Sequence, residues 1–188
     1  MIEGPWKLVP FQGDHAAVVA RWVASHDELF WVAPMTSPPL TADKVRAWTQ
    51  GVERGFVYVN GAGQPTAYGE LNPMPHTSGG LWIGHLVVAP QARGCSVGRS
   101  FLRALLEEAF ERQQAETVGL VVFPGNRAAI QCYRGAGIKD AGAQYRRFPG
   151  SWRKHELRYM RITRAEYQHS RKPFRPHTST PAAEPVYA

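Results

Sequence analysis

The chain reads as an α/β (α+β) protein with elements in the order β-α-α-β-β-β-α-β-α-β-β, and three stretches carry that reading. Residues 86–110, LVVAPQARGCSVGRSFLRALLEEAF, run from an apolar strand through a glycine-rich turn directly into an amphipathic helix. Residues 56–59 and 66–71 are apolar runs around N-G-A-G-Q-P, a hairpin signal because Asn60-Gly61 tolerates positive φ. Residues 118–137 repeat the sequence of strand and then helix, with Asn126 as N-cap and Gly137 as C-terminal stop.

Taken in order, a short strand at Trp6 to Phe11 precedes Asp14, an N-cap for a helix carrying Ala17, Val18, Arg21, Trp22 and Ser25. A Pro-rich loop, WVAPMTSPPLT, follows, and Thr41 caps a second helix with Val45, Trp48 and Val52 on one face. After the hairpin, the loop NPMPHTSGG leads into a central strand at Leu81 to Val88. The helix beyond the glycine turn places Phe101, Leu102, Leu105, Leu106, Ala109 and Phe110 at helical spacing, the strongest periodic signal in the chain. Val118 to Phe123 reads as a buried strand, and weaker strands are expected around Ala143 to Phe148 and Glu156 to Ile162. Residues 1–165 are expected to form a single domain, and residues 166–188, rich in Pro, Ser and Thr without periodicity, a disordered tail.

A chain of 188 residues that is 44% apolar can bury one good core. No apolar run reaches the ~20 residues that span a bilayer, and MIEGPWKLVPF lacks the pattern of a signal peptide, so a cytoplasmic protein without membrane partners is expected. Cys95 and Cys132 have neither metal-ligand spacing nor the density of a disulfide scaffold, so no metal site is expected. The net charge of +7 is confined to the C-terminal part: residues 1–143 hold 12 basic and 12 acidic side chains, residues 144–188 hold 10 and 3. Arg146, Arg147, Arg153, Lys154, Arg158, Arg161 and Arg164 are expected to make a positive face on the last strands, continued by Arg171, Lys172 and Arg175. No nucleic-acid motif accompanies this charge, and a solvated face is the simpler reading.

The glycine turn has the geometry of an anion site. Backbone N–H groups of Gly94 through Gly98 would converge at the positive end of a helix dipole, with Arg93 and Arg99 beside them. Three residues, not four, separate Gly94 from Gly98, and Arg99 follows in place of Lys, which disfavours ATP or GTP. Gly94, Ser96 and Gly98 halfway along the chain also fail the dinucleotide fingerprint. The run R-G-C-S-V-G after V-V-A-P resembles the acyl-CoA pyrophosphate loop of the GNAT superfamily of N-acetyltransferases, V-x-P-x-x-R-G-x-G-x-G/A, with Ser96 where that pattern prefers glycine. From Asn126 the segment NRAAIQCYRGAG is similar to the family's helix after the fifth strand, N-x-x-A-x-x-x-Y-x-x-x-G.

The resemblance implies a GNAT-like mixed, mostly antiparallel seven-stranded sheet flanked by about four helices. It implies acetyl-CoA as cosubstrate and an amine, small molecule or peptide, as acceptor; a homodimer stays open. By resemblance the fourth and fifth strands splay beyond Val88 and Val122, the pantetheine arm pairs with backbone at Leu86, Val87 and Val88, and a backbone N–H of Val87 or Val88 receives the thioester oxygen. The implied donor contacts are completed by Arg93, Gly94, Cys95, Ser96, Val97, Gly98, Arg99, Ser100 and Asn126. Tyr133 matches the family's general acid toward the departing CoA sulfur, and hydrogen-bond donation suffices for that role. The bland readings of the same residues are a tight turn, a helix cap and a core-edge tyrosine.

The base is less directly read. Many members of the family carry an acid on the fifth strand, five positions before the helix Asn, and Val121 stands there. Glu70 and His85 remain as candidates, and a water chain would also serve. Strand alternation puts His85 on the face opposite Trp82 and Gly84 unless a bulge intervenes, which favours a structural histidine, and Glu70 is equally a substrate anchor. Trp22, Phe30, Trp31, Trp48 and Trp82 lie where the family builds its acceptor cleft, though core packing explains aromatic residues as well. Two rival classes stand beside the enzyme: a noncatalytic acyl-CoA-binding or regulatory module, and a basic nucleic-acid-associated domain.

Overall fold

The periodic segments become, in chain order, β1 (Lys7–Pro10), α1 (His15–Ala20), α2 (His26–Val32), α3 (Ala42–Trp48), β2 (Gly55–Val59), β3 (Pro65–Pro73), β4 (Gly80–Val88), α4 (Val97–Glu107), β5 (Thr117–Val122), α5 (Arg127–Gly135), β6 (Lys139–Arg146), β7 (His155–Thr163) and α6 (Arg164–Arg171). The computed structural model describes residues 6–49 and 54–171. The strands form one seven-stranded sheet in the order β1-β2-β3-β4-β5-β7-β6. All neighbours are antiparallel except β4 and β5, so the sheet is mixed and mostly antiparallel.

Helices cover both faces. A Cβ at Gly69 would meet Leu105 and Phe101 of α4 at 3.3 Å, so that side of β3 faces α4. The neighbouring Tyr68 faces the other way, where Phe11 packs edge-on at 5.1 Å and Trp48 of α3 lies at 6.0 Å. All six apolar residues expected on α4 and its extension are buried, and the helix ends in a π-helical turn over Glu108–Arg112.

Six α-helices form among the described residues, against about four expected. The first expected helix stops at Ala20, and Ser25 caps the additional α2, its Oγ accepting from Glu28 N–H at 3.1 Å; Trp31 and Val32 therefore belong to a helix and not to the Pro-rich loop. The expected tail boundary at residue 166 falls inside α6. Thr163 and Glu166 cap that helix reciprocally, Glu166 N–H donating to Thr163 Oγ1 at 3.3 Å and Thr163 N–H to Glu166 Oε2 at 2.9 Å. Tyr167 then stacks on Phe110 at 4.6 Å and anchors α6 to the core. Residues 172–188, with Lys172 and Arg175, and Val52 of the second expected helix lie outside the described residues.

Two local expectations are also corrected. In the β2–β3 hairpin positive φ falls on Gly63, at +75°, and Asn60 instead accepts the N–H groups of Ala62 and Gln64 on its Oδ1. The arginines of the last strands do not share one face. Arg158 turns toward α5 and bonds Asp140 at 2.9 Å, Arg164 donates to the Phe110 carbonyl, and Arg146 lies over the Trp82 ring on the other side of the sheet.

Candidate active site

The parallel pairing of β4 with β5 covers only Gly80 with Thr117, Leu81 with Val118 and Trp82 with Gly119. From Ile83 and Leu120 onward the strands part, so the gap opens well before Val88 and Val122, the positions expected from resemblance. A cavity of about 650 Å³ occupies it, lined by residues of α2, β4, the glycine turn, β5 and α5. That volume suits a small organic ligand or an extended arm of one.

At one end stands the glycine turn. Gly94 has φ +75° and Ser96 has φ +60°, so the position where the resembling pattern prefers glycine is indeed left-handed, and Ser96 holds it at a steric cost. Ser96 makes no side-chain cap; its Oγ accepts from Arg99 Nη2 at 3.3 Å instead. Among the described residues, none of the N–H groups from Gly94 to Arg99 donates to a protein acceptor. Six donors at a helix N-terminus are thus left for an anion, which is what a pyrophosphate requires. A Cβ at Gly98 would meet Cys132 Sγ and Val88 Cγ2 at 3.4 Å each, ordinary packing contact between α4, α5 and β4.

Not every expected donor contact is presented alike. Gly94, Ser96, Gly98 and Arg99 line the cavity, as do Leu86, Val87, Val88 and Asn126. Cys95 is exposed and Val97 is buried in the core, so any share of theirs is through backbone; Ser100 is exposed, its N–H already donated to the Ser96 carbonyl. Arg93 borders the cavity, but its guanidinium is taken up elsewhere: Nη1 bonds Glu28 Oε1 at 2.6 Å, Nη2 the Trp22 carbonyl at 2.8 Å and Nε the Val88 carbonyl at 3.0 Å. Arg93 is a clamp joining the α1–α2 region to the end of β4, not a free cation beside the turn.

Backbone direction distinguishes Val87 from Val88. Ala89 N–H donates to Thr66 on β3 at 2.8 Å, and backbone groups alternate along a strand. Val87 therefore turns its N–H toward β3, and Val88 turns its N–H and C=O into the gap. Asn126 caps α5, its Oδ1 accepting from Ala129 N–H at 3.2 Å, and two turns on Tyr133 comes to the cavity wall. Tyr133 is buried apart from that edge, and burial, aided by neighbouring Cys132, pushes its phenol up, so it keeps its proton and is a donor.

The His85 side of the cavity rests on an irregularity in β4. Tyr68 pairs with Val87 and Glu70 with Gly84, so β4 holds one residue more than β3 between these pairs. The bulge includes His85, with φ +42°, and it turns the imidazole to the Gly84 and Glu70 face, overturning the alternation that put it opposite. His85 Nδ1 lies 2.9 Å from Glu70 Oε1, and the ring stacks on Trp48 at 4.3 Å. Glu70, only 2% exposed, also accepts from the Tyr68 phenol at 2.6 Å and the Asn72 amide at 3.0 Å. Burial pushes the Glu70 carboxyl up, but the hydrogen bonds and charge of His85, with the bonds from Tyr68 and Asn72, prevail and hold it below the usual carboxylate range. An ionised carboxylate only accepts, so Nδ1 of His85 carries the hydrogen and Nε2 is the available nitrogen. His85 lines the cavity, whereas Glu70 does not.

The aromatic residues divide. Trp22 belongs to the core, Phe30 packs with Phe123 and Phe148 in a separate apolar cluster, and Trp31 lines the cavity. Trp82 stacks on Tyr159 at 6.0 Å, on the sheet face that carries Glu70. Val121, at the position of the missing acid, lines the cavity beside His85. Sequence reasoning did not place Cys132 of α5 on the cavity wall, nor Tyr159 and Arg146 against Trp82; the latter needs the β6–β7 register, which no local motif encodes.

Residues 20–138 match the sequence pattern of the family described as Acetyltransferase (GNAT) family. Among solved structures, spermidine N-acetyltransferase from Vibrio cholerae in complex with CoA and spermine shares 16% identity and a TM-score of 0.72, covering 87% of this chain and 98% of that one. A GNAT-family acetyltransferase from Bacillus anthracis superposes at TM-score 0.73 with 14% identity, over 87% and 98% of the two chains. An aminoglycoside acetyltransferase in complex with coenzyme A does so at 0.69 with 21% identity, over 89% and 100%. At such identities the likeness is one of fold.

Proposed function

Because the chain belongs to the GNAT acetyltransferase family, whose members use acetyl-CoA as cosubstrate, we propose that it transfers acetyl from acetyl-CoA to a primary amine by direct attack. The observation that carries this reading is the meeting, in one cavity, of an unpaired N–H cradle, a splayed strand pair, a buried phenol and an imidazole oriented by a carboxylate. The fit to the donor is steric and electrostatic. The N–H groups of Gly94–Arg99 hold the pyrophosphate, and the open edge of β4 at Leu86 pairs with the pantetheine arm, leaving the Val88 N–H for the thioester while its carbonyl accepts from Arg93.

At pH 7 about one alkylamine in two thousand is neutral, a cost of about 4.6 kcal/mol, so the site must take up a proton. His85 Nε2 receives it, and the Glu70 carboxylate, bonded to Nδ1–H, holds the ring in that tautomer and stabilises the imidazolium that forms. The neutral amine attacks the thioester carbonyl, and the Val88 N–H in the gap donates to the oxygen as charge grows there. The oxyanion then returns its electrons to the carbonyl as the C–S bond breaks, Tyr133 donates a hydrogen bond to the departing thiolate, and the surplus proton of the attacking nitrogen is lost to solvent, leaving the amide and free CoA. Peptide and small-molecule amines both fit this scheme.

The test is release of free CoA from acetyl-CoA by the purified chain across a panel of amines, with calorimetric binding of CoA measured alongside. Amine-dependent release is expected. Tight CoA binding without release on any amine would instead identify a noncatalytic acyl-CoA-binding module.

A further inference from the structure

Next to the cavity wall at Val121 and His85, the sheet face that carries Glu70 is marked by charge. Val121 of the cavity pairs with Tyr159 across the β5–β7 ladder, Tyr159 stacks on Trp82, and the Arg146 guanidinium sits 5.7 Å above the Trp82 ring. Arg161, opposite Gly119 in the register, points from the same face. Among the described residues neither arginine has a carboxylate partner; Arg146 bonds only the neutral Gln144 amide, at 3.0 Å. The one acidic side chain among the described cavity-lining residues is Glu28, and Arg93 holds it. Glu70 is buried under three hydrogen bonds. A polycation would meet two unpaired guanidiniums here and no free carboxylate.

Asn72 pairs with Trp82 and Glu70 with Gly84, one step further along the same ladder and on the same face. Two steps along β4 carry the backbone from Trp82 to Gly84, roughly 7 Å, and His85, turned to the same face by the bulge, follows directly. We propose that the acceptor amine carries an anionic group, a carboxylate or a phosphate, several bonds from the nitrogen, and that Arg146 over Trp82 receives it while the amine reaches His85. Arginine's planar fork matches either anion, and the indole beneath it offers the intervening methylenes an apolar surface. This inference rests on the acetyl-transfer reading and narrows its acceptor.

Three amines of one length separate the cases: 5-aminopentanoate, pentylamine and 1,5-diaminopentane, with 4-aminobutylphosphonate as the phosphate-like arm. Each is measured twice, as kcat/KM for CoA release and as Kd on the CoA-loaded protein. The expected order is 5-aminopentanoate or the phosphonate first, by at least tenfold over pentylamine, and 1,5-diaminopentane last. Which anion leads distinguishes carboxylate from phosphate recognition. In Arg146→Gln the advantage of the anionic amine over pentylamine should shrink to within threefold, and in Arg146→Glu the diamine should overtake the amino acid. Arg146 is exposed, so neither variant threatens folding. Equal affinities in the wild type, tighter binding of the diamine, or no binding of any of the four overturns the anionic site. The expected binding order without CoA release from any amine supports the anionic site and overturns acetyl transfer instead.

Discussion

On the proposed reading, the donor side of the cavity is built from backbone, and the acceptor side from side chains. Gly94–Arg99 offer N–H groups whose direction is set by the turn itself, and Asn126 and Tyr133 sit one above the other on a single helix. Opposite them, His85 is placed by a bulge in β4, oriented by Glu70 of β3, stacked on Trp48 of α3 and bordered by a face that includes Arg146 of β6. A site made of backbone tolerates a changed side chain wherever the chain path survives, which is why Ser96 can stand at a left-handed position. A site made of converging side chains fails when any one is removed.

The largest effect is therefore expected on the acceptor side. His85→Ala should lower kcat/KM by about 100-fold or more, the usual contribution of a positioned base. Glu70→Gln should lose less activity but shows a second signature. Its folded carboxyl titrates below the unfolded value near ~4.3, so its contribution to stability is complete above that pH and is lost as pH falls through the folded titration. The gap between wild-type and Glu70→Gln urea midpoints should be wide at pH 7 and narrow near pH 3; a gap independent of pH would show that folding leaves the Glu70 titration unshifted, and a gap that widens toward pH 3 would show a carboxyl kept neutral in the folded protein.

On the donor side, Tyr133→Phe should lower turnover about tenfold or more while acetyl-CoA affinity stays close to wild type, because the phenol acts on the leaving sulfur and not on the pyrophosphate. Wild-type turnover in that variant removes Tyr133 from the chemistry. The smallest change is expected from Ser96→Gly. Relief of the left-handed φ of +60° contributes up to about 1 kcal/mol, partly offset by the greater freedom of glycine in the unfolded chain. The thermal midpoint should rise by less than about 2–4 °C with CoA affinity retained, whereas a fall would mean that the Ser96 bond to Arg99 outweighs the strain.

The same division explains what could be read in advance. The turn, α4, the Asn126 cap and the Gly137 stop are encoded within a few neighbouring residues, so the fold order and the local geometry of the glycine turn and α5 were legible. The β4 bulge was not, because nothing in G-H-L-V-V marks an extra residue; it exists only against the partner strand. The face of each arginine on the last strands depends likewise on the β6–β7 register. Helices α2 and α6 were legible in principle, since S-H-D-E at Ser25 and T-R-A-E at Thr163 are both capping boxes, but the segments after them looked too short or too polar to bury a face.

The central claim, that coenzyme A is held by the unpaired N–H groups of the glycine turn, is tested most directly by following backbone amide resonances of the protein as CoA is added. The largest shifts should fall on Gly94, Cys95, Ser96, Val97, Gly98 and Arg99, with a second set along Leu86 to Val88. Saturating CoA that leaves those six amides in place, whether or not others move, would contradict it.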